Sequence, residues 1–199
     1  MIKLKEILQE AKRDASLVKN FKEFVNESIY YHGTTLPKSN PKIDSFKTKT
    51  GFRSNSMTGL KRLVNSPWIF FTDDYHLAQK FGSAKTAGLY HDKGDFSHKT
   101  VVLEYDIDES KLNILDLTMG DFIEKIEKIV DSDILNNYYG SMVAFYDIEI
   151  EDTWELLDDN IISNIIIKKG FDSVKLIESG GKSLAIHISK VNTVVKQRQ

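Results

Sequence analysis

Apolar residues at steps of four and three open the chain. Leu4, Leu8, Ala11, Ala15, Val18 and Val25 recur with that spacing, and Ile7 and Phe21 stand beside them. The pattern predicts one amphipathic helix over residues 3–25. Its stripe suits packing on its own domain or against a partner helix, although three heptads are few for a coiled coil. After Asn26 the period shortens. Ser28–His32 reads as a strand ending at Gly33, and residues 36–66 read as a long polar connection holding Pro37 and Pro41. Trp68–Thr72 is an apolar, aromatic strand. Asp73 or Asp74 can cap a short helix running to Phe81 and closed by Gly82. Gly88–His98 reads as a loop and Thr100–Ile107 as a strand.

Thr118 and Asp121 suit the start of a helix that aligns Met119, Phe122, Ile123, Ile126, Ile129 and Val130. Residues 132–150 read as helix and then strand. Trp154, Leu157, Ile161, Ile162, Ile165 and Ile166 mark another helix, stopped by Lys168, Lys169 and Gly170. Phe171–Ile177 and Ser183–Ile188 are strands joined by residues 178–182, with Val191–Val195 following. Strands at both ends with helices between them argue for an α+β fold rather than a doubly wound parallel sheet. The division expected is an N-terminal helix over 1–26 and one domain over 27–199.

Composition narrows the classes. The 199 residues carry 27 basic and 29 acidic side chains, and 41% are hydrophobic, enough for a real core. The near balance excludes a generally basic nucleic-acid binder and an acidic disordered chain. With no cysteine there is no disulfide, thiolate metal site or thiol nucleophile. No apolar run approaches the ~20 residues of a membrane helix or looks like a signal peptide, so the expected compartment is the cytoplasm. Charge is segregated, however. Residues 35–66 hold Lys38, Lys42, Lys47, Lys49, Arg53, Lys61 and Arg62 against Asp44 alone, whereas residues 104–160 hold seventeen acids and three bases. The first segment suits an anion, phosphate above all, or is a solvated loop. The second suits a basic partner.

Several motifs fail on inspection. Gly181-Lys182-Ser183 resembles the end of a phosphate-binding loop, but Leu176 stands where its first glycine belongs and a strand follows. His76, His91 and His98 match no metal-ligand spacing, so no metal is expected. No strained nucleophile elbow of the G-x-S-x-G kind is present.

Three blocks taken in order are more specific. They are Tyr31-His32-Gly33-Thr34; Trp68-Ile69-Phe70-Phe71-Thr72 followed by Ala78 and Phe81; and Gly170–Val174 followed by Ser183–Asn192. Their order and spacing resemble the diphtheria-toxin/PARP-like branch of the ADP-ribosyltransferases, including small bacterial and phage members, over residues 28–195. The resemblance implies a split antiparallel β core with flanking helices, and NAD as substrate. It implies that His32 bonds a ribose hydroxyl and that Gly33 offers its backbone to the nicotinamide carboxamide. Phe70 aligns with a strand tyrosine and Phe81 with a second ring-stacking aromatic; such faces can hold a cationic pyridinium. Tyr31, Thr34 and Phe71 belong to the same blocks and are assigned to NAD binding with them. Arg53 and Asn55 fall where the family's loop flanks the pyrophosphate. Read as residues alone, Phe70 and Phe81 are equally core aromatics, and His32 is equally a hydrogen-bonded, half-buried histidine.

One position departs from the family. Lys182 stands where a glutamate usually stabilises the ribosyl cation, and a lysine there repels it. A carboxylate supplied by the acceptor, or Glu178 reaching in from the pliable Gly180-Gly181 turn, would replace it; Glu104 lies in the wrong block. The expected activity is mono-ADP-ribosyl transfer to a protein or nucleic-acid acceptor. The alternative is a catalytically degenerate module that binds a nucleotide or a protein partner.

Overall fold

The computed structural model describes residues 27–39, 46, 49–54 and 61–198. The amphipathic helix expected over 3–25 lies outside the described residues. The fold is α+β, as expected. Its main sheet has seven strands in the order β6 (Ile114–Asp116), β7 (Ser173–Glu178), β8 (Gly181–His187), β4 (Trp68–Thr72), β1 (Glu27–Pro37), β5 (His98–Asp108), β9 (Val195–Gln197). All neighbours are antiparallel except β6 and β7. A separate two-stranded ribbon pairs β2 (Lys49–Ser54) with β3 (Lys61–Ser66) inside the segment expected to be a loop.

The helix after β4 is longer than the sequence suggested. It runs as α1 (Tyr75–Lys93), through Gly82 and the expected loop, to a left-handed Gly94 at φ 61°. Asp74 caps it, its Oδ1 accepting from the backbone N–H of His76 at 2.7 Å and of Leu77 at 3.1 Å. Gly82 does not stop this helix. It permits close contact, because a Cβ there would lie 2.9 Å from Thr100 Cγ2 and 3.1 Å from the Thr34 backbone. Strand β1 likewise continues through Gly33 to Pro37, paired with β5 all the way.

The middle of the chain is broken into short helices. They are α2 (Phe122–Glu127), α3 (Ser132–Tyr139), α4 (Met142–Tyr146), α5 (Glu155–Asp158) and α6 (Asn160–Lys168). Met119 falls outside α2 and is exposed. The strand expected before residue 150 is instead α4, separated from α3 by Gly140 at φ 82° and capped by Ser141. The helix expected from Trp154 to Ile166 breaks at Asp159, whose carboxylate caps α6. At the C-terminus α7 (Ile188–Val194) takes most of Val191–Val195 before β9.

Paired residues share a sheet face and successive residues alternate. Trp68, Val174, Leu176 and Ala185 therefore face the short helices and build the larger core with Leu115, Leu135, Phe145, Leu157 and Ile162. Trp68 Nε1 donates to Ser163 Oγ across that interface. Ile69, Phe71, Tyr105, Ile107, Leu184 and Ile186 face the other way and are covered by α7. At the edge of this second face, Tyr30 donates to Glu109 Oε1 at 2.6 Å and Lys175 pairs with Glu109 Oε2 at 2.6 Å, joining β1 and β7 through the end of β5. No helix among the described residues is long and apolar enough to cross a membrane.

Candidate functional site

The three blocks singled out in the sequence lie on adjacent strands, since β8, β4 and β1 are consecutive in the sheet. The ladder is not continuous between them. β4 pairs with β8 along five residues, but β1 and β4 meet in register only at Tyr31 and Thr72. A seam opens beyond that bridge, and His32 sits in it. His32 Nδ1 lies 2.8 Å from the carbonyl oxygen of Phe70. A carbonyl only accepts, so Nδ1 carries the proton and donates. Burial holds the imidazole below its ordinary pKa of 6.5, against the hydrogen bond to Phe70 and together with the charge of Lys85. In the neutral ring Nε2 is then an acceptor, and it has no hydrogen-bond partner among the described residues. An acceptor in that state suits a hydroxyl donor such as a ribose O–H.

Aromatic rings enclose His32 on one sheet face. Phe46 lies edge-on at 5.5 Å between centroids and Phe71 is tilted at 5.6 Å. Phe71 is 1% exposed and packs on Tyr105, so its ring is a core element. Phe70 is half-buried and packs with the short helices on the opposite face. Only its carbonyl, not its ring, meets His32. The strands thus bring His32 and Phe71 together and turn the Phe70 side chain away from both.

Gly33 meets helix α1. A Cβ on it would lie 1.6 Å from the Ala78 carbonyl oxygen, so the helix fills the space a side chain would need. Thr34 is buried, and the neighbouring Thr35, Thr86 and Thr100 hydroxyls form a chain of hydrogen bonds at 2.9 and 2.8 Å beneath α1. Tyr31 meets Tyr75 edge-on at 5.6 Å. Phe81, on the second turn of α1, is 37% exposed and can offer its ring to a ligand.

At the start of β8, the Lys182 carbonyl accepts from Thr72 Oγ1 at 2.7 Å and from Asp73 N–H at 3.4 Å. Its residue is exposed. Glu178 is buried at the end of β7 opposite Gly181, beside a turn with Ser179 at φ 48° and Gly180 at φ 82°. Arg53 lies on β2 opposite Arg62, with only its backbone described, and Asn55 lies outside the described residues. Among the described residues no three His, Asp or Glu side chains are grouped to hold a metal. Sequence reasoning missed Phe46, a single aromatic in a polar run that carries no periodic signal. It also missed Tyr75, which reads as an ordinary first-turn residue.

No family model and no curated protein matches the sequence. Among solved structures the chain is similar to a chain of the M. tuberculosis MbcT–MbcA toxin–antitoxin complex, at 15% identity and a TM-score of 0.46, over 87% of this chain and 82% of that one. A likeness this slight fixes neither family nor activity.

The state of His32 predicts a pH effect on stability. Its folded pKa is lowered, so the unfolded chain takes up the proton first as pH falls below about 6.5. The contribution of neutral His32 is present above that pH and is lost as pH falls through its folded pKa. Burial lowers His187 too. Melting temperatures from pH 7.5 to 5 should therefore be compared between wild type and His32→Gln, with the steeper loss expected in wild type. Parallel curves would contradict the assignment of a neutral, buried imidazole.

Proposed function

We propose that the chain is an NAD-dependent mono-ADP-ribosyltransferase acting on a protein or nucleic-acid acceptor. The single observation that carries the reading is His32: a neutral imidazole fixed by Phe70 in a parted seam, with Nε2 left as an acceptor for a ribose hydroxyl. The resemblance of the three blocks supplies the identity of the nucleotide. In the reaction the bond between C1′ of the ribose and the nicotinamide nitrogen breaks, and its electron pair leaves with nicotinamide. The acceptor's oxygen or nitrogen bonds to C1′ and gives up its proton to a base. Charge develops on the ribose, and preorganised negative charge nearby would lower the barrier. Lys182 supplies the opposite sign at the position aligned with the family's glutamate, so slow turnover is expected unless the acceptor brings a carboxylate.

The test is release of nicotinamide from labelled NAD by wild type and Lys182→Glu, with cell-extract protein and nucleic acid as acceptors. Removing a cation and adding an anion near the developing charge should raise release by at least about tenfold, roughly 1.4 kcal/mol of barrier. No release from either form would sink the transferase reading. One observation favours a second reading, a nucleotide-binding module without turnover: Lys182 occupies the acid's position and the Phe70 ring faces away from His32. NAD binding without release in both forms would select it.

A further inference from the structure

Strand β8 passes into α7 at His187, and three contacts fix the residue there. Its backbone N–H donates to the Asp172 carbonyl at 2.9 Å, and the next N–H, of Ile188, donates to the Pro67 carbonyl at 2.8 Å. The indole of Trp68 meets the imidazole edge-on at 5.7 Å between centroids. The ring is half-buried, whereas Ser189, two residues on, is exposed. Ser189 approaches His187 Nδ1 twice, with its backbone N–H at 3.4 Å and its Oγ at 2.7 Å. A backbone N–H can only donate, so Nδ1 carries a lone pair and the neutral ring has its proton on Nε2. The Ser189 hydroxyl is then the donor to Nδ1. Its proton points at a base, and among the described residues nothing donates to Oγ.

The base is in the state that can accept. Burial holds the His187 imidazole below its ordinary pKa of 6.5, and the Asp172 carboxylate works against burial. Asp172 is itself engaged, accepting from Asn113 N–H at 2.8 Å and facing the Lys190 ammonium at 3.5 Å. Other exposed serines lack this arrangement. Ser110 donates to Asp108 at 2.6 Å and Ser97 to Asp95 at 2.5 Å, and both carboxyls are held below their ordinary pKa, so they are poor bases. Ser97 also lies 3.0 Å from His98 Nδ1, but that nitrogen donates to Asp95 at 2.8 Å and has no lone pair to give. A hydroxyl bonded to an oriented, neutral imidazole is the arrangement that activates serine.

We propose that Ser189 is a nucleophile activated by His187 and a modification site for acyl groups at the β8–α7 junction. In the step, Oγ bonds to the carbonyl carbon of an activated ester and the hydroxyl proton passes to His187 Nδ1. The bond from that carbon to the leaving oxygen breaks, and its electron pair departs with the leaving group. The imidazolium then loses its proton to solvent. The site is independent of NAD turnover, and no motif in the sequence marks it.

Timed acetylation of the full chain with p-nitrophenyl acetate tests it, read by mass spectrometry on the tryptic peptide of residues 183–190. Wild type should gain a hydroxylamine-labile acetyl group on Ser189 at least about tenfold faster than on Ser97 or Ser110. Its rate should level off by about pH 7, because His187 is already neutral there. His187→Gln should slow labelling of Ser189 at least about tenfold and leave a rate that climbs with pH without levelling. Ser189 labelling no faster than that of Ser97 and Ser110, an unchanged rate in folded His187→Gln, or a wild-type rate still climbing above about pH 8 would each overturn the proposal. The pH profile is taken on wild type, so the test holds even where His187→Gln does not fold.

Discussion

Gly33→Ala is expected to lower the melting temperature by roughly 6–12 °C, the equivalent of about 3 kcal/mol in a domain of this size. Gly33 is not among the glycines at positive φ, so alanine meets no torsional objection there. The objection is space. The added methyl would stand 1.6 Å from the Ala78 carbonyl oxygen, which belongs to the helix backbone and cannot rotate away. The helix must lift from β1, and in lifting it stretches the hydrogen bonds among Thr35, Thr86 and Thr100. Gly82→Ala makes a graded control, because its nearest clash, at 2.9 Å, is with the Thr100 methyl. Thermal melts should rank wild type above Gly82→Ala and Gly82→Ala above Gly33→Ala. A Gly33→Ala protein melting within 2 °C of wild type would mean that α1 does not sit where it is described.

On the proposed transferase reading, His32→Ala is expected to reduce nicotinamide release at least about 100-fold at temperatures where the protein remains folded, since both the acceptor it would offer a ribose hydroxyl and the tie to Phe70 disappear. Two effects must be separated. Removing Nδ1 leaves the Phe70 carbonyl without its donor, a cost of about 1–3 kcal/mol where the group is buried. Removing Nε2 affects ligand alone. His32→Asn can keep a donor toward Phe70, so it should recover part of the stability measured by urea melts without recovering turnover. Full turnover by a folded His32→Ala protein would remove the seam from consideration as the site.

The sequence reveals the strands better than the helices, for identifiable reasons. Trp68–Thr72 and the pair flanking Ser179-Gly180 are dense in β-branched and aromatic residues and end at turn formers, so their signal is local. The extent of α1 is hidden because Gly82 resembles a stop, whereas its role is contact with Thr34 and Thr100; the true stop is Gly94 in the left-handed region. Asp159 resembles an ordinary polar position on an apolar helix, yet its carboxylate starts a new one. Val191–Val195 is a short apolar run, and periodicity alone cannot tell helix from strand there. The candidate site was legible as three blocks and not as a geometry. That His32 bonds the Phe70 backbone while the Phe70 ring faces away follows from strand order and pairing, which no local pattern encodes.

The lone bridge between Tyr31 and Thr72 also bears on how the protein moves. A sheet normally transmits strain through every rung, but here the backbone ladder between β1 and β4 is a single rung, and the halves on either side are held together mainly by side chains: the His32 bond to Phe70, the packing of Phe71 on Tyr105, and Glu109 bridging Tyr30 and Lys175. Their relative angle is therefore set by side-chain packing across the β1–β4 junction rather than by backbone pairing.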